Sequence, residues 1–258
     1  PSFYAVLASR PLRAIAPGEE DRWEALMAAE HPLGDAQFAG HQLKYVAEHG
    51  GQAVALVCFS ASAYHLADRD RWIGWSAEQA RQRRHFVVQN SRFLVLAKRP
   101  VRNLASRVLS LCAKQVPSDW RRCFGFAPLL LETFVDPTHF RGTCYQAAGW
   151  TKVGATRGFR RDGREFYTPD SHPKDIWVKA LHPEAREVLR AAQLPDEWRA
   201  YEKPLPPQQV ATRLGVDGLR SLFEVLRTIK DPRHKRGRRY SVATCLAMMV
   251  CAWMAGCQ

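Results

Sequence analysis

The chain has 258 residues, 46% of them hydrophobic, which excludes a polypeptide too polar to pack and makes the bulk a globular domain with room for an appendage. Lysine and arginine outnumber aspartate and glutamate by 38 to 25, a formal charge of +13, with a pI near 9.8. Such a balance favours a polyanionic partner, nucleic acid first, with an unused charge surplus as the bland alternative. Cys58, Cys112, Cys123, Cys144, Cys245, Cys251 and Cys257 are odd in number and form no paired CxxC motifs, so zinc-finger spacing is excluded and reduced cytoplasmic thiols are expected. No basic segment followed by an apolar run opens the chain, so no secretory signal is visible; Pro1 in place of Met reads as a processed, trimmed or incomplete N-terminus.

A Pro17-Gly18 turn followed by acidic residues, then Trp23, Leu26 and Met27 at helical spacing, predicts a first helix to about Glu30, which His31-Pro32-Leu33-Gly34 breaks. Gln42 to His49 and Gln52 to Ser60 bracket Gly50-Gly51, the pattern of a hairpin. From Asp68 to Arg84 apolar Trp72, Ile73 and Trp75 mix with Arg69, Arg71, Arg81, Arg83 and Arg84, and the stretch beyond Ser76 is helix-capable. Those arginines face phosphates or simply form a solvated helix face. VVQNSRFLVL predicts a strand pair or one bulged strand with Asn90 at the bend, and Asn103 to Val116 carries Leu104, Val108, Leu109 and Leu111 on a helical stripe.

The centre of the chain is LLLETFVDPTHFRGTCYQAAGWTKVGATRG, from Leu129 to Gly158. It reads as a strand ending at Asp136-Pro137, a loop, a short helix from Thr143 to Ala148 closed by Gly149, and a second strand from Trp150. That unit either aims backbone N–H groups of a helix N-terminus at an anion or is a plain crossover. A hairpin signal around Asp162-Gly163 and a last strand from Ile176 to Leu181 follow. The expected fold class is α/β (α+β), a mixed sheet flanked by helices with a small helical C-terminal segment. Its parts are a domain over 1–193, a proline-rich linker over 194–207, and a basic tail over 208–258 with nine Lys/Arg against three Asp/Glu. The apolar run Tyr240 to Cys257 holds Ser241, Thr244 and Gly256 and is read as a buried helix rather than a membrane span.

Several segments resemble a known family. HPLGDAQFAGHQLKYVAEHGG, DRDRWIGWSAEQARQR, VVQNSRFLVL, NLASRVLSLCAKQVPSDW, LLETFVDP, FRGTCYQAAGW and VGATRGF follow one another as in the DruA-like family, named for the Druantia anti-phage system, and span roughly 10–181. More distantly, Asp136, Gly142 and Tyr145-Gln146-Ala147 are similar to the Mom-type DNA-modification proteins of bacteriophages and, through them, to GNAT acyltransferases. That resemblance implies a GNAT-like sheet. LRTIKDPRHKRGRRYSVATCLAMMVCAWMAG looks like the N-terminal region associated with DDE transposases of the H-repeat type.

Glu132 and Asp136 lie four apart, so on an ideal strand they share a face; they are candidate general bases, with Tyr145 or His139 as acid. For each carboxylate the alternative is structural: Glu132 pairs with an arginine and Asp136 caps the turn before Pro137. The GNAT resemblance implies acyl-CoA pyrophosphate at His139, Arg141, Gly142, Thr143 and Cys144, although only Gly142 matches the R/Q-x-x-G-x-G/A pattern. A buried thiol is the alternative for Cys144. Glu132, Asp136 and His139 would make an iron or manganese set, and the Mom-type resemblance carries iron with it. Candidate nucleic-acid contacts are Arg69, Arg71, Trp72, Trp75, Asn90 and Arg92, the aromatic rings among them and Tyr145 serving to stack an unpaired or flipped base.

Three functions stand side by side. One is a DruA-like, GNAT-related transfer of a group to a nucleobase in a phage-defence or mobile-element setting, with DNA as partner. Another is a non-catalytic DNA-binding accessory domain working beside a transposase or defence-system proteins. The last is an enzyme on protein or a small molecule. A cleft holding Glu132, Asp136 and Tyr145 together would favour the first, and dispersed, salt-bridged side chains the second.

Overall fold

The computed structural model describes residues 11–34, 40–96, 101–157, 159–162, 166–169, 172–204, 224–229 and 240–254. The chain divides into two compact units, Pro1–Lys203 and Pro204–Gln258.

The first unit is built on a seven-stranded sheet. In chain order it has β1 (Leu12–Ala14), α1 (Glu20–Glu30), β2 (Gln42–His49), β3 (Gln52–Ala61), α2 (Ala67–Ile73), α3 (Ala77–Arg83), β4 (Val87–Val95), α4 (Leu104–Phe124), β5 (Leu130–Val135), α5 (Thr143–Ala147), β6 (Thr151–Ala155), β7 (Phe159–Asp162), β8 (Phe166–Pro169), β9 (Asp175–Ala180), α6 (Ala185–Arg190) and α7 (Asp196–Arg199). The strand order is β1-β2-β3-β4-β5-β9-β6, with β7 and β8 in a separate two-stranded sheet. This is the mixed α/β arrangement the sequence predicts, antiparallel throughout except for the parallel β4–β5 pair.

Burial explains the layers. Tyr45, Val57, Phe59, Val87, Leu109, Cys112, Val116, Trp120 and Leu130 belong to the main core. Trp23 and Met27 of α1 close over Val46, Leu56 and Cys58 in a second, smaller core. Alternate residues of β2 and β3 thus point to opposite cores, as the pleat demands. The β2–β3 turn places Gly50 and Gly51 at φ +57° and +75°, the left-handed pair of a two-residue hairpin that glycine adopts without strain.

Four expectations change. α4 runs eight residues past Val116, through Pro117, because Trp120 beyond the proline is buried in the core and its packing outweighs one lost backbone hydrogen bond. A helix, α2, already occupies Ala67–Ile73, before the one capped by Ser76, whose hydroxyl accepts from Gln79 N–H in a reciprocal capping box. The strands flanking the Asp162-Gly163 hairpin signal pair only with each other, as β7 and β8 in a separate sheet, and β9 lies between β5 and β6. Finally, 194–203 is not linker: Leu194 and Trp198 are buried, Glu202 pairs with Arg83 at 2.6 Å, and Lys203 N–H donates to the Gln82 carbonyl.

In the second unit residues 224–227 are helical and α8 spans Val242–Met254, within the apolar run read as a buried helix; most of the basic tail before residue 240 lies outside the described residues. No described helix is long and apolar enough to cross a membrane.

Candidate functional site

The sheet opens where β4 and β5 part. Their parallel pairing runs only from Val87↔Leu130 to Gln89↔Glu132, yet β4 continues to Val95 and β5 to Val135. At the parting point β4 bulges: Cys58 faces Arg92 and Phe59 faces Asn90, so Ser91 is the extra residue. Asn90 holds that bulge. Its side-chain amide donates to the carbonyls of Cys58 at 3.1 Å and Arg92 at 3.0 Å, and its side-chain oxygen accepts from the Tyr145 hydroxyl at 2.8 Å. From the β5 side, Thr133 Oγ1 donates to the Asn90 carbonyl at 3.0 Å. One buried asparagine therefore ties β3, β4, β5 and α5 together at the apex of the opening, with every bond it makes inside the protein.

Tyr145 is the one nominated catalytic residue at this apex. Burial raises its phenol pKa, so the hydroxyl stays protonated and keeps its bond to Asn90. Glu132 and Asp136 do not join it. Both Glu132 and Arg69 are 0% exposed, and Arg69 donates to Glu132 Oε2 at 2.7 Å while Ala63 N–H donates to Oε1 at 2.8 Å. Both carboxylate oxygens are thus spent on holding α2 and the 62–66 loop to β5. Asp136 lies past the strand end and accepts from the N–H and hydroxyl of Thr138 at 2.9 and 2.6 Å; that hydroxyl and N–H hold its pKa below the ordinary value, which weakens it as a base. His139 Nδ1 sits 3.4 Å from the same carboxylate in an exposed turn. The strand-face alignment of Glu132 and Asp136 fails because Asp136 has already left the strand.

The same dispersal removes the metal set. Among the described residues no three His, Cys, Asp or Glu side chains gather into a metal site, and the chemistry of Glu132, already neutralised by Arg69, leaves iron no carboxylate there.

At the loop nominated for a pyrophosphate the glycine opens onto no empty cradle. Gly142 has φ +70°, and a Cβ there would meet the Trp177 ring at 2.6 Å; the space beside this glycine is filled by an indole. The helix that follows is only five residues long, Cys144 is half-buried with its thiol pKa raised by burial, and Thr143 and Arg141 are exposed.

Of the nominated nucleic-acid contacts, Arg69, Trp75 and Asn90 are buried, and each spends its polar atoms internally: the Trp75 indole N–H and Arg69 Nε both donate to Asp70. They are interior residues and not a surface for nucleic acid. Arg92 is half-buried and donates to the Gly34 and Ser91 carbonyls. Trp72 is half-buried beneath the Arg186 guanidinium at 4.6 Å. Arg71 is exposed, its side chain 76% accessible, and pairs with Asp68.

A surface missed in the sequence lies on α4. Arg102, Asn103, Ser106, Arg107, Ser110, Leu111 and Lys114 line one concavity along the helix, opposite the side that buries Leu104, Val108, Cys112 and Val116. The signal was present, since 103, 107, 110 and 114 recur at helical spacing, but only the apolar stripe of the same helix was read.

No curated protein matches the sequence. Among solved structures the chain is similar to three acetyltransferases. The spermidine N-acetyltransferase of Vibrio cholerae, in complex with CoA and spermine, shares 10% identity over 66% of this chain and 94% of its own, with a TM-score of 0.40. The polyamine N-acetyltransferase of Drosophila melanogaster shares 15% over 66% and 98%, TM-score 0.40. The ribosomal-protein-S18-alanine N-acetyltransferase of Escherichia coli shares 9% over 66% and 92%, TM-score 0.42. Likeness at that level transfers neither activity nor ligand. The family model described as Druantia protein DruA matches residues 9–165, well over half of the sequence, and the chain belongs to that family.

Proposed function

We propose that this DruA-family chain is a nucleic-acid-binding protein, with DNA as its partner in a phage-defence or mobile-element setting, and that α4 supplies phosphate contacts. The observation that carries this is the pair of exposed cations, Arg102 and Lys114, on an α4 concavity whose lining holds no carboxylate. The two are twelve residues apart, about 18 Å along the axis, so the row follows a backbone rather than a single anion. The dispersal of Glu132, Asp136 and Tyr145 supports binding over catalysis.

Two phosphate contacts would cut affinity for a short duplex about 12-fold between roughly 50 and 200 mM salt. Arg102→Gln with Lys114→Gln should weaken binding on every sequence and lower the salt slope by about two. Fluorescence anisotropy measures both, and an affinity indifferent to salt would sink the proposal.

A second reading, GNAT-related group transfer to a nucleobase, is supported by the parting of β4 and β5 at the level of the Tyr145 hydroxyl. Acyl-CoA is not supported by the 139–144 loop, so no step is assigned to it. Nucleoside mass spectrometry of DNA from expressing cells tests this reading: a new nucleoside that disappears with Tyr145→Phe is expected, and unmodified nucleosides end it.

A further inference from the structure

At the end of the sheet where β3 stops and β4 starts, exposed aromatic rings stand beside cations. Tyr64 is 54% exposed, yet its ring is not loose: the Arg84 guanidinium lies 3.7 Å from its centroid and the His65 ring meets it edge-on at 4.5 Å. Arg84 is followed by His85, whose ring packs edge-on against Phe126 at 5.0 Å. Phe126 in turn lies 6.2 Å from the ring of Tyr201, which is 43% exposed. Two residues on, Lys203 joins the same patch through its N–H bond to the Gln82 carbonyl at 3.1 Å.

This surface is held rigidly. Arg83, buried, donates to the Leu189 and Ala191 carbonyls at 3.0 and 2.6 Å and to Glu202 at 2.6 Å. The Gln79 side chain donates to the carbonyls of Arg190 and Ala191. The segment carrying Tyr201 and Lys203 is therefore clamped to the one carrying Arg84, and the carboxylate of Glu202 is neutralised by Arg83. Burial, with Lys203 and Arg84 nearby, lowers the pKa of His85 to about 4. The positive charge at neutral pH therefore comes from Arg84 and Lys203.

A rigid exposed ring beside a cation is what an unpaired base stacks on, while the cation meets the phosphate. A duplex keeps its base faces inside the stack, so such a surface selects single strands. We propose that Tyr64 and Tyr201, with Arg84 and Lys203, form a stacking platform for single-stranded nucleic acid, separate from the α4 surface. The inference rests on the nucleic-acid reading of the chain but not on α4.

The test uses the full chain with fluorescein-labelled oligothymidine, which forms no duplex, and with a short duplex. Tyr64→Ala combined with Tyr201→Ala should lower oligothymidine affinity by at least about tenfold, leave duplex affinity within about twofold, and leave the chain folded at the assay temperature, since each ring is only partly packed. Tyr64→Phe combined with Tyr201→Phe should bind like the parent, since stacking needs the ring and not the hydroxyl. An oligothymidine carrying one 2-aminopurine should lose fluorescence on binding the parent and not the alanine variant. Oligothymidine binding that ignores the alanine changes, or no oligothymidine binding at all, overturns the platform. Duplex binding that ignores Arg102→Gln and Lys114→Gln overturns the α4 reading alone.

Discussion

Glu132→Gln should destabilise the first unit by about 3 kcal/mol, because it removes the fully buried one of the two carboxylates that pair with Arg69 and leaves only Asp70, on Nε. Both side chains are 0% exposed and 2.7 Å apart, so water cannot replace the lost partner. For a domain near 200 residues that cost lowers the melting temperature by roughly 10 °C. Arg69→Ala should do similar damage, since Glu132 would keep only the Ala63 N–H and the arginine stem would leave a void. The double change Arg69→Met with Glu132→Leu should recover most of the loss, as apolar pairs of similar volume commonly replace buried ion pairs without penalty. Thermal melts of the parent, Arg69→Met, Glu132→Leu and the double variant make a double-mutant cycle with a large coupling term. A Glu132→Gln chain that melts with the parent, yet fails in a nucleoside-modification assay, would return Glu132 to the catalytic list.

That pair also shows where reading a sequence stops. Glu132 stands in an apolar strand, and a buried carboxylate with no visible partner looks like chemistry; its partner lies 63 residues earlier in a helix, and no local pattern announces the meeting. Asn90 fared better. Its place between two halves of one apolar run marked a bend, and the bulge is there, though its purpose is to tie strands rather than to touch bases. The hairpin from Gln42 to Ala61 was legible because two adjacent glycines admit few alternatives. The end of α4 was not, because Pro117 is a local stop signal that the buried Trp120 overrides through tertiary packing. Prolines misled again after Leu194, where Pro195 opens a helical turn instead of a linker. In each miss the deciding contact was distant in the chain, and in each success it was local.

Gly142→Val should cost stability while the folded chain still binds oligonucleotide like the parent. Two penalties add. The backbone at φ +70° costs a side-chain-bearing residue about 1–2 kcal/mol, and the added Cβ would sit 2.6 Å from the Trp177 ring, an overpacking that costs about 1–3 kcal/mol more. Trp177 cannot simply turn away, since it is buried in β9, whose neighbours Ile176 and Val178 are core residues. A loss of about 2–5 kcal/mol is therefore expected in a melt. Trimming the ring tests the cause: with Trp177→Leu in place, the added cost of Gly142→Val should shrink to the backbone part, and a double-mutant cycle should show coupling of about 1 kcal/mol or more. Were Gly142 needed instead for close approach of an anion, the valine chain would melt with the parent while oligonucleotide binding vanished. That outcome would move the binding site from α4 to the loop before α5. A valine chain that both melts and binds like the parent would mean that the indole does not rest on this glycine at all.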